Sequence, residues 1–342
     1  MKIAIVSKLW ESTTPLSTGG TGAAVGNLVN GLVAKGHHVT LFATGDSKTK
    51  AQNLVSVRHK KFENDYSEVQ EFSNIQNAFK HAGKFDLIHT HVEHKACLFA
   101  AQTKTSTLIS LRWGGFTDHE VELLKQNKNL NFATVSKFMT KLLPFIKFKG
   151  VVYNGVDTEL LKFNSKPEGP ILFLGRLSPQ KGPDIAIQLA KKLNTKLILA
   201  GKMVDADKSF LDKKVKPFID GKQIKYLGEV KGNDKIKLLQ NAPVLIAPYR
   251  MDDACANVLL EAMACGTPVL TFNKGSNAEL IKHGQTGFVV NNIKQIATAF
   301  NNVSKINRQD CRNRVEKYFS VDQMVDSYEK IYEKIYEKIV KH

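Results

Sequence analysis

A repeated alternation constrains this chain more than any other feature. Short runs of β-branched and aliphatic residues, each followed by a polar or glycine-rich break and an amphipathic stretch, recur along most of its length. The first instance sets the pattern. Residues 2–7 read as a buried strand, and the loop over residues 11–22 is rich in turn formers and ends on Gly19, Gly20, Thr21 and Gly22. A helix follows with Val25, Leu28, Val29, Leu32 and Val33 on one face. Gly36 stops it, and residues 38–43 form the next strand. Strand, glycine loop, helix, strand is a Rossmann-like βαβ unit.

The alternation continues with strands expected at 85–89, 107–111, 131–135 and 151–153. A second series begins at 171–175 and runs through 196–200, 224–227, 243–247 and 267–271. The segment 154–169 between the two series has a weak pattern and is the natural boundary. A length of 342 residues suits two α/β domains better than one core. The expected fold is therefore α/β, with parallel sheets covered on both faces. One Rossmann-like domain spans 1–155 and another 156–320, facing each other across a cleft. Ligands in such sheets sit beyond the carboxyl ends of the strands. Tyr-Glu-Lys-Ile repeats from Tyr328, Tyr332 and Tyr336. Its four-residue spacing reads as a terminal helix over 321–342 rather than a coiled coil.

Apolar content of 42% and charged content of 24% are those of an ordinary globular protein. The net charge of +17 favours phosphate-rich partners: nucleotides, nucleic acid or an anionic membrane face. The lysines are spread along the chain, which equally fits a solvated surface. Basic–aromatic nucleic-acid motifs are missing, so no nucleic-acid partner is expected. The four cysteines, Cys97, Cys255, Cys265 and Cys311, have no zinc-site spacing, and a disulfide framework is not expected at this length. A reducing compartment fits, and the N-terminus has no signal-peptide core. No run reaches the roughly 20 apolar residues that span a bilayer. A cytoplasmic protein is expected.

Three segments carry candidate chemistry. Gly19 and Gly20 let backbone amides approach a phosphate, although such a loop is as often structural. Arg176 and Lys181 flank a tight loop at a strand's carboxyl end, a placement that neutralises a diphosphate or makes surface salt bridges. Asp253 and Glu261 are eight apart, with a helix expected to start near Ala256 or Asn257. Acids there accept hydrogen bonds from sugar and ribose hydroxyls, and the helix's free amides face an anion. Paired carboxylates also suit glycoside hydrolysis, and a capping acid beside a buried, satisfied Glu is the structural alternative.

Taken together, these segments resemble the retaining GT-B-fold glycosyltransferases of family 4. The strongest blocks are 173–184 and 260–269, joined by 275–281, 284–288 and, for one bacterial branch, Leu9 to Ser12 with Gly19 to Thr21. The resemblance covers nearly the whole chain. It implies that Arg176 and Lys181 bind a donor diphosphate, Glu261 the donor ribose and Asp253 sugar hydroxyls. Gly19 and Gly20 would close over the phosphates, and the Val258 and Leu259 amides would meet them at the helix start. Ala254, Cys255, Ala256 and Asn257 would shape the donor pocket. The terminal helix would cross back to the N-terminal domain. No metal or other cofactor is implied, since cations and helix dipole replace it.

The chain departs from the family in three places. Asp253-Ala254-Cys255-Ala256 stands where the family usually has Glu-Pro-Phe-Gly, which leaves the donor sugar open. Arg112, in Ser110-Leu111-Arg112-Trp113-Gly114, takes the place of a His in many relatives. A cation there binds an anionic sugar or a phosphate, or fills space. Gly22-Ala23 replaces a Glu-Arg pair. Elsewhere, His89, His91 and His94 cluster without an evident fourth zinc ligand. His91 and Ser136 read instead as lining the acceptor cleft. Residues 137–149 mix basic and apolar side chains suited to peripheral contact with an anionic membrane, interrupted by Pro144.

The expected activity is retaining transfer of a sugar from a UDP- or GDP-sugar to an unknown acceptor: glycan, lipid or small molecule. The rival readings are a nucleotide-sugar epimerase or phosphorylase of the same fold, and a degenerate sugar-nucleotide-binding subunit.

Overall fold

The computed structural model describes residues 1–15, 17, 19–62 and 65–340. Leu16 and Thr18 of the glycine loop, and residues 341–342 of the expected terminal helix, lie outside the described residues. The chain forms two compact units. Unit 1 comprises Met1–Asp157 and the chain from Ser320 on, and unit 2 is Thr158–Phe319.

Unit 1 carries seven described strands: β1 (Lys2–Val6), β2 (His38–Phe42), β3 (Asn53–Val55), β4 (Leu87–Thr90), β5 (Ser106–Leu111), β6 (Asn131–Thr134) and β7 (Gly150–Val151). All pair in parallel in the order β3-β2-β1-β4-β5-β6-β7. The helices between them are α1 (Gly20–Ala34), α2 (Glu68–Lys80), α3 (Cys97–Ala100), α4 (Asp118–Gln126) and α5 (Lys137–Leu142).

Unit 2 repeats the scheme with β8 (Ile171–Leu174), β9 (Leu197–Ala200), β10 (Ile224–Tyr226), β11 (Leu245–Ala247), β12 (Val269–Phe272) and β13 (Gly287–Val290). Its parallel order is β10-β9-β8-β11-β12-β13. The helices are α6 (Pro183–Lys192), α7 (Lys208–Lys214), α8 (Gly232–Asn241), α9 (Asn257–Ala264), α10 (Asn277–Leu280), α11 (Ile293–Phe300) and α12 (Arg308–Tyr318). The last helix, α13 (Val321–Val340), belongs to unit 1. Strands β3 and β13, one at an edge of each sheet, were not expected from the sequence.

The α1 stripe behaves as its spacing demands: Val25, Leu28, Val29 and Leu32 are buried against Ile3, Ile5, Val39 and Leu41. Helix α13 completes this core. Its repeat places Tyr328 and Tyr332, both fully buried, on the inner face with Met324, Val325, Ile331 and Ile335. The two tyrosine hydroxyls are satisfied. Tyr332 OH lies 2.7 Å from His89 Nδ1, His89 Nε2 lies 2.7 Å from Ser110 Oγ, and Ser110 Oγ lies 3.1 Å from Tyr328 OH. Outside, Lys35 pairs with Asp326 and Glu329, and His37 with Glu329 at 2.9 Å. Gly31 of α1 faces α13 so closely that a β-carbon there would lie 2.5 Å from a Val325 methyl. The chain re-enters unit 1 beside its point of departure, with Val156 bridged to Ser320.

In unit 2 the sheet residues Ile171, Phe173, Leu199, Ile246 and Leu270 pack against Ile187, Leu189 and Ala190 of α6. The buried Arg312 of α12 donates to the Ala264 carbonyl at 3.0 Å, placing a cation at the C-terminus of α9.

Candidate functional site

The strand order of unit 2 reverses between β8 and β11. At such a reversal the connections leave in opposite directions and open a crevice beyond the carboxyl ends of the two strands. The loops after β8 and β11 carry Arg176, Lys181 and Asp253, and the second leads into α9 with Glu261. The sequence therefore set its candidates around the point where topology alone would put a ligand.

Backbone and side-chain contacts hold these loops together. Arg250 donates to both oxygens of the buried Asp184, at 2.9 and 2.7 Å, and its amide donates to Gln180 O at 2.8 Å. Gly182, the residue just before α6, has a φ of 73°, and a β-carbon there would lie 2.5 Å from Pro248 O. Only glycine meets both demands without strain. The loop after β12 joins in: Ser276 N donates to Asp253 O at 3.0 Å and Gly275 N to Asp252 Oδ1 at 2.7 Å.

Within this frame Lys181 Nζ lies 2.8 Å from Asp253 Oδ2 and 4.0 Å from the centre of the Tyr249 ring. Tyr249 is fully buried. Burial, and after it the charges of Asp253 and Glu261, push its hydroxyl well above the ordinary tyrosine range, so it stays neutral. Glu261 is nearly buried; its Oε1 accepts from Lys235 Nζ of α8 at 2.7 Å, while its Oε2 has no partner. Arg176 is exposed, and pairs with no carboxylate among the described residues. Helix α9 starts at Asn257 as expected, and no side chain caps it. Ala254, Cys255, Ala256 and Asn257 are all buried. Cys255 N donates to Asp253 Oδ1 at 3.2 Å. The Leu259 amide is already given to Ala256 O at 3.1 Å, so Leu259 does not offer the free donor expected of it. Lys235 and Tyr249 escaped sequence reasoning, because neither sits in a motif and each reaches the site only through the fold.

The unit 1 candidates fare differently. Gly19 and Gly20 stand at the start of α1, where an anion was expected. That place is taken by the chain's own Glu11, whose Oε2 accepts from Gly22 N at 2.6 Å and whose carboxylate would overlap a β-carbon at Gly19. His91 and Ser136, expected to line an open cleft, are fully buried, each with its polar side-chain atoms unpartnered. They stand just past the last residues of β4 and β6, where the buried sheet edge extends further than the hydropathy pattern implies. Arg112 is half-buried and donates to Asn154 Oδ1. His89 serves the α13 network rather than a metal. Residues 137–149 form α5 and an irregular stretch, with Lys137, Lys141, Leu142, Lys147 and Lys149 exposed. No described helix is long and apolar enough to cross a membrane.

Comparison with known proteins adds independent findings. Residues 158–319 match the family of glycosyl transferases group 1, and residues 18–122 match glycosyltransferase family 4. Over 338 aligned residues the chain is 28% identical to an uncharacterized glycosyltransferase of Methanocaldococcus jannaschii, covering 85% of each. Sucrose-phosphate synthase from Thermosynechococcus elongatus has a similar structure, with a TM-score of 0.80 at 16% identity over 99% of this chain and 100% of that one. HepE of Anabaena, solved in complex with UDP-glucose, gives a TM-score of 0.71 at 17% identity over 100% of both chains. At these identities the structural likeness speaks for the fold, which is the GT-B type expected from the sequence.

Proposed function

The chain belongs to the group 1 glycosyl transferases, and we propose that it moves a sugar from a UDP- or GDP-linked donor to an acceptor with retention of anomeric configuration. One observation carries this reading: Arg176, Lys181 and the uncapped start of α9 converge on the β8/β11 crevice of unit 2. Two cations and a helix N-terminus suit a diphosphate, and they stabilise it most when its charge grows as the glycosidic bond breaks. In this reading they do the work without a metal ion.

The remaining groups fit the rest of the donor. The unpartnered Oε2 of Glu261 is a buried acceptor waiting for a hydroxyl, and in this reading it takes one from the ribose. Lys235 holds the other oxygen and so fixes the carboxylate. Asp253 turns toward sugar hydroxyls once phosphate has taken Lys181. The UDP-glucose complex of HepE supports a uridine donor.

The test is titration with UDP and GDP, followed by transfer from the matching radiolabelled sugar donors in EDTA. One nucleotide should bind saturably, and Lys181→Ala should weaken it by about tenfold or more, the scale of one charge-assisted contact. NMR of the product should show the donor's anomeric configuration. Binding of neither nucleotide, or binding indifferent to Lys181, would sink the proposal.

A further inference from the structure

The sheet of unit 1 also reverses, between β1 and β4. Its register sets Val6 beside Thr90 and Thr90 beside Ile109, so the residues just past β1, β4 and β5 stand at one level. Those residues are Lys8, His91, Glu93 and Arg112.

Their charges do not balance. Glu93 adopts a φ of 58°, uncommon outside glycine, and is almost fully buried. Its carboxylate accepts from Lys8 Nζ at 2.9 Å and from the backbone amide of Arg112 at 2.9 Å. Lys8 is thereby compensated. The half-buried guanidinium of Arg112 meets the neutral Asn154 Oδ1 and no carboxylate among the described residues. Near it lies a polar ring with nothing to bind: both nitrogens of the fully buried His91, which feels the charge of Arg112, are unpartnered. Burial, with help from the charges of His89, Arg112 and Lys8, holds His91 well below the usual imidazole range. It is therefore a neutral ring with one donor and one acceptor to offer. Orphaned buried groups beside an uncompensated cation are costly unless a ligand satisfies them.

The same edge carries the only two tryptophans of the chain. Trp10 follows β1 and Trp113 follows Arg112, and they are 46% and 49% exposed. Trp10 already stacks one face on Tyr66, with ring centres 4.5 Å apart, whereas the indole of Trp113 leaves an apolar surface with a polar N–H suited to a pyranose ring.

We propose that this edge of unit 1 binds a saccharide bearing an anionic group, phosphate or carboxylate, and that Arg112 reads the anion. The planar fork of a guanidinium matches either group bidentately. That the saccharide is a transferase substrate rests on the function proposed above. The anion site itself rests on the geometry of unit 1.

The experiment compares matched pairs on the full chain by calorimetry: glucose 6-phosphate against glucose, and glucuronate against glucose. In at least one pair the anionic member should bind about tenfold or more tightly. The preference should vanish in Arg112→Gln and survive in part in Arg112→Lys, with affinity for UDP unchanged in both. Equal binding within every pair, or a preference indifferent to Arg112→Gln, overturns the inference. If UDP does not bind the unmodified protein, the function proposed above falls instead, and the sugar pairs still decide this one.

Discussion

Lys181 and Asp253 hold each other at 2.8 Å, both largely shielded from water. A diphosphate arriving at Lys181 must therefore take it from a carboxylate. That competition gives Asp253 two opposed effects in the proposed reaction: it weakens nucleotide binding and it orients the sugar. Asp253→Asn should tighten UDP binding severalfold while lowering kcat by about tenfold or more. Titration with UDP and turnover measured side by side would check this, and weaker UDP binding in the variant would refute the competition. At this scale the sequence was informative where chemistry is concentrated in short motifs. Arg176 and Lys181 share one loop, and Asp253 and Glu261 share one loop and helix. Lys235 was illegible because its partner is Glu261, 26 residues away, and only the packing of α8 beside α9 joins them. Glu11 was missed for a related reason. An acid before a glycine loop looks like solvent-facing polarity until the loop folds back and its carboxylate takes the amide of Gly22.

Among elements, the contact of α1 with α13 is the one most sensitive to a single atom. Alanine at an exposed helical glycine normally stabilises by up to about 1 kcal/mol. At Gly31 the added carbon would sit 2.5 Å from the Val325 methyl, and a crowded helix interface loses about 1–3 kcal/mol. Gly31→Ala should therefore lower the melting temperature of unit 1, and Val325→Ala in the same chain should recover part of the loss. A gain in the single variant would show that α13 yields easily. The central strands and the α1 stripe were legible because each is a dense apolar run buried on both sides. The edge strands β3 and β13 were not. Asn53 and Leu54 are exposed, and in β13 only Gly287 and Val290 are buried, so neither strand shows the periodicity of a core element.

For the whole molecule, the buried histidines of unit 1 set a pH limit. His89 and His91 are both fully buried and held well below the usual range, by burial first and by Arg112 among the neighbouring charges. In the unfolded chain each titrates near pH 6.5. Below that value the unfolded state binds protons that the folded state refuses, so stability is full above about pH 6.5 and falls as pH drops. The slope approaches about 1.4 kcal/mol per pH unit for each histidine. Denaturant unfolding between pH 7.5 and 5.5 should show unit 1 losing stability in this way, and His91→Asn should remove about one proton from the slope. An unchanged slope would mean that His91 is not buried neutral. The division into two Rossmann-like halves was readable from the alternation alone, whereas the return of the last helix to the first half was expected only through the family resemblance, and the structure bears it out. The repeat at the tail announces a helix but not its destination. That destination joins the segment before Asp157 to the segment after Ser320 in one unit. Unit 2 lies wholly between the departure at Asp157 and the return at Ser320, so the ribosome finishes it while unit 1 still lacks α13. The half made first is the half completed last, and a premature stop codon within α13 would injure unit 1 rather than the unit 2 that immediately precedes it.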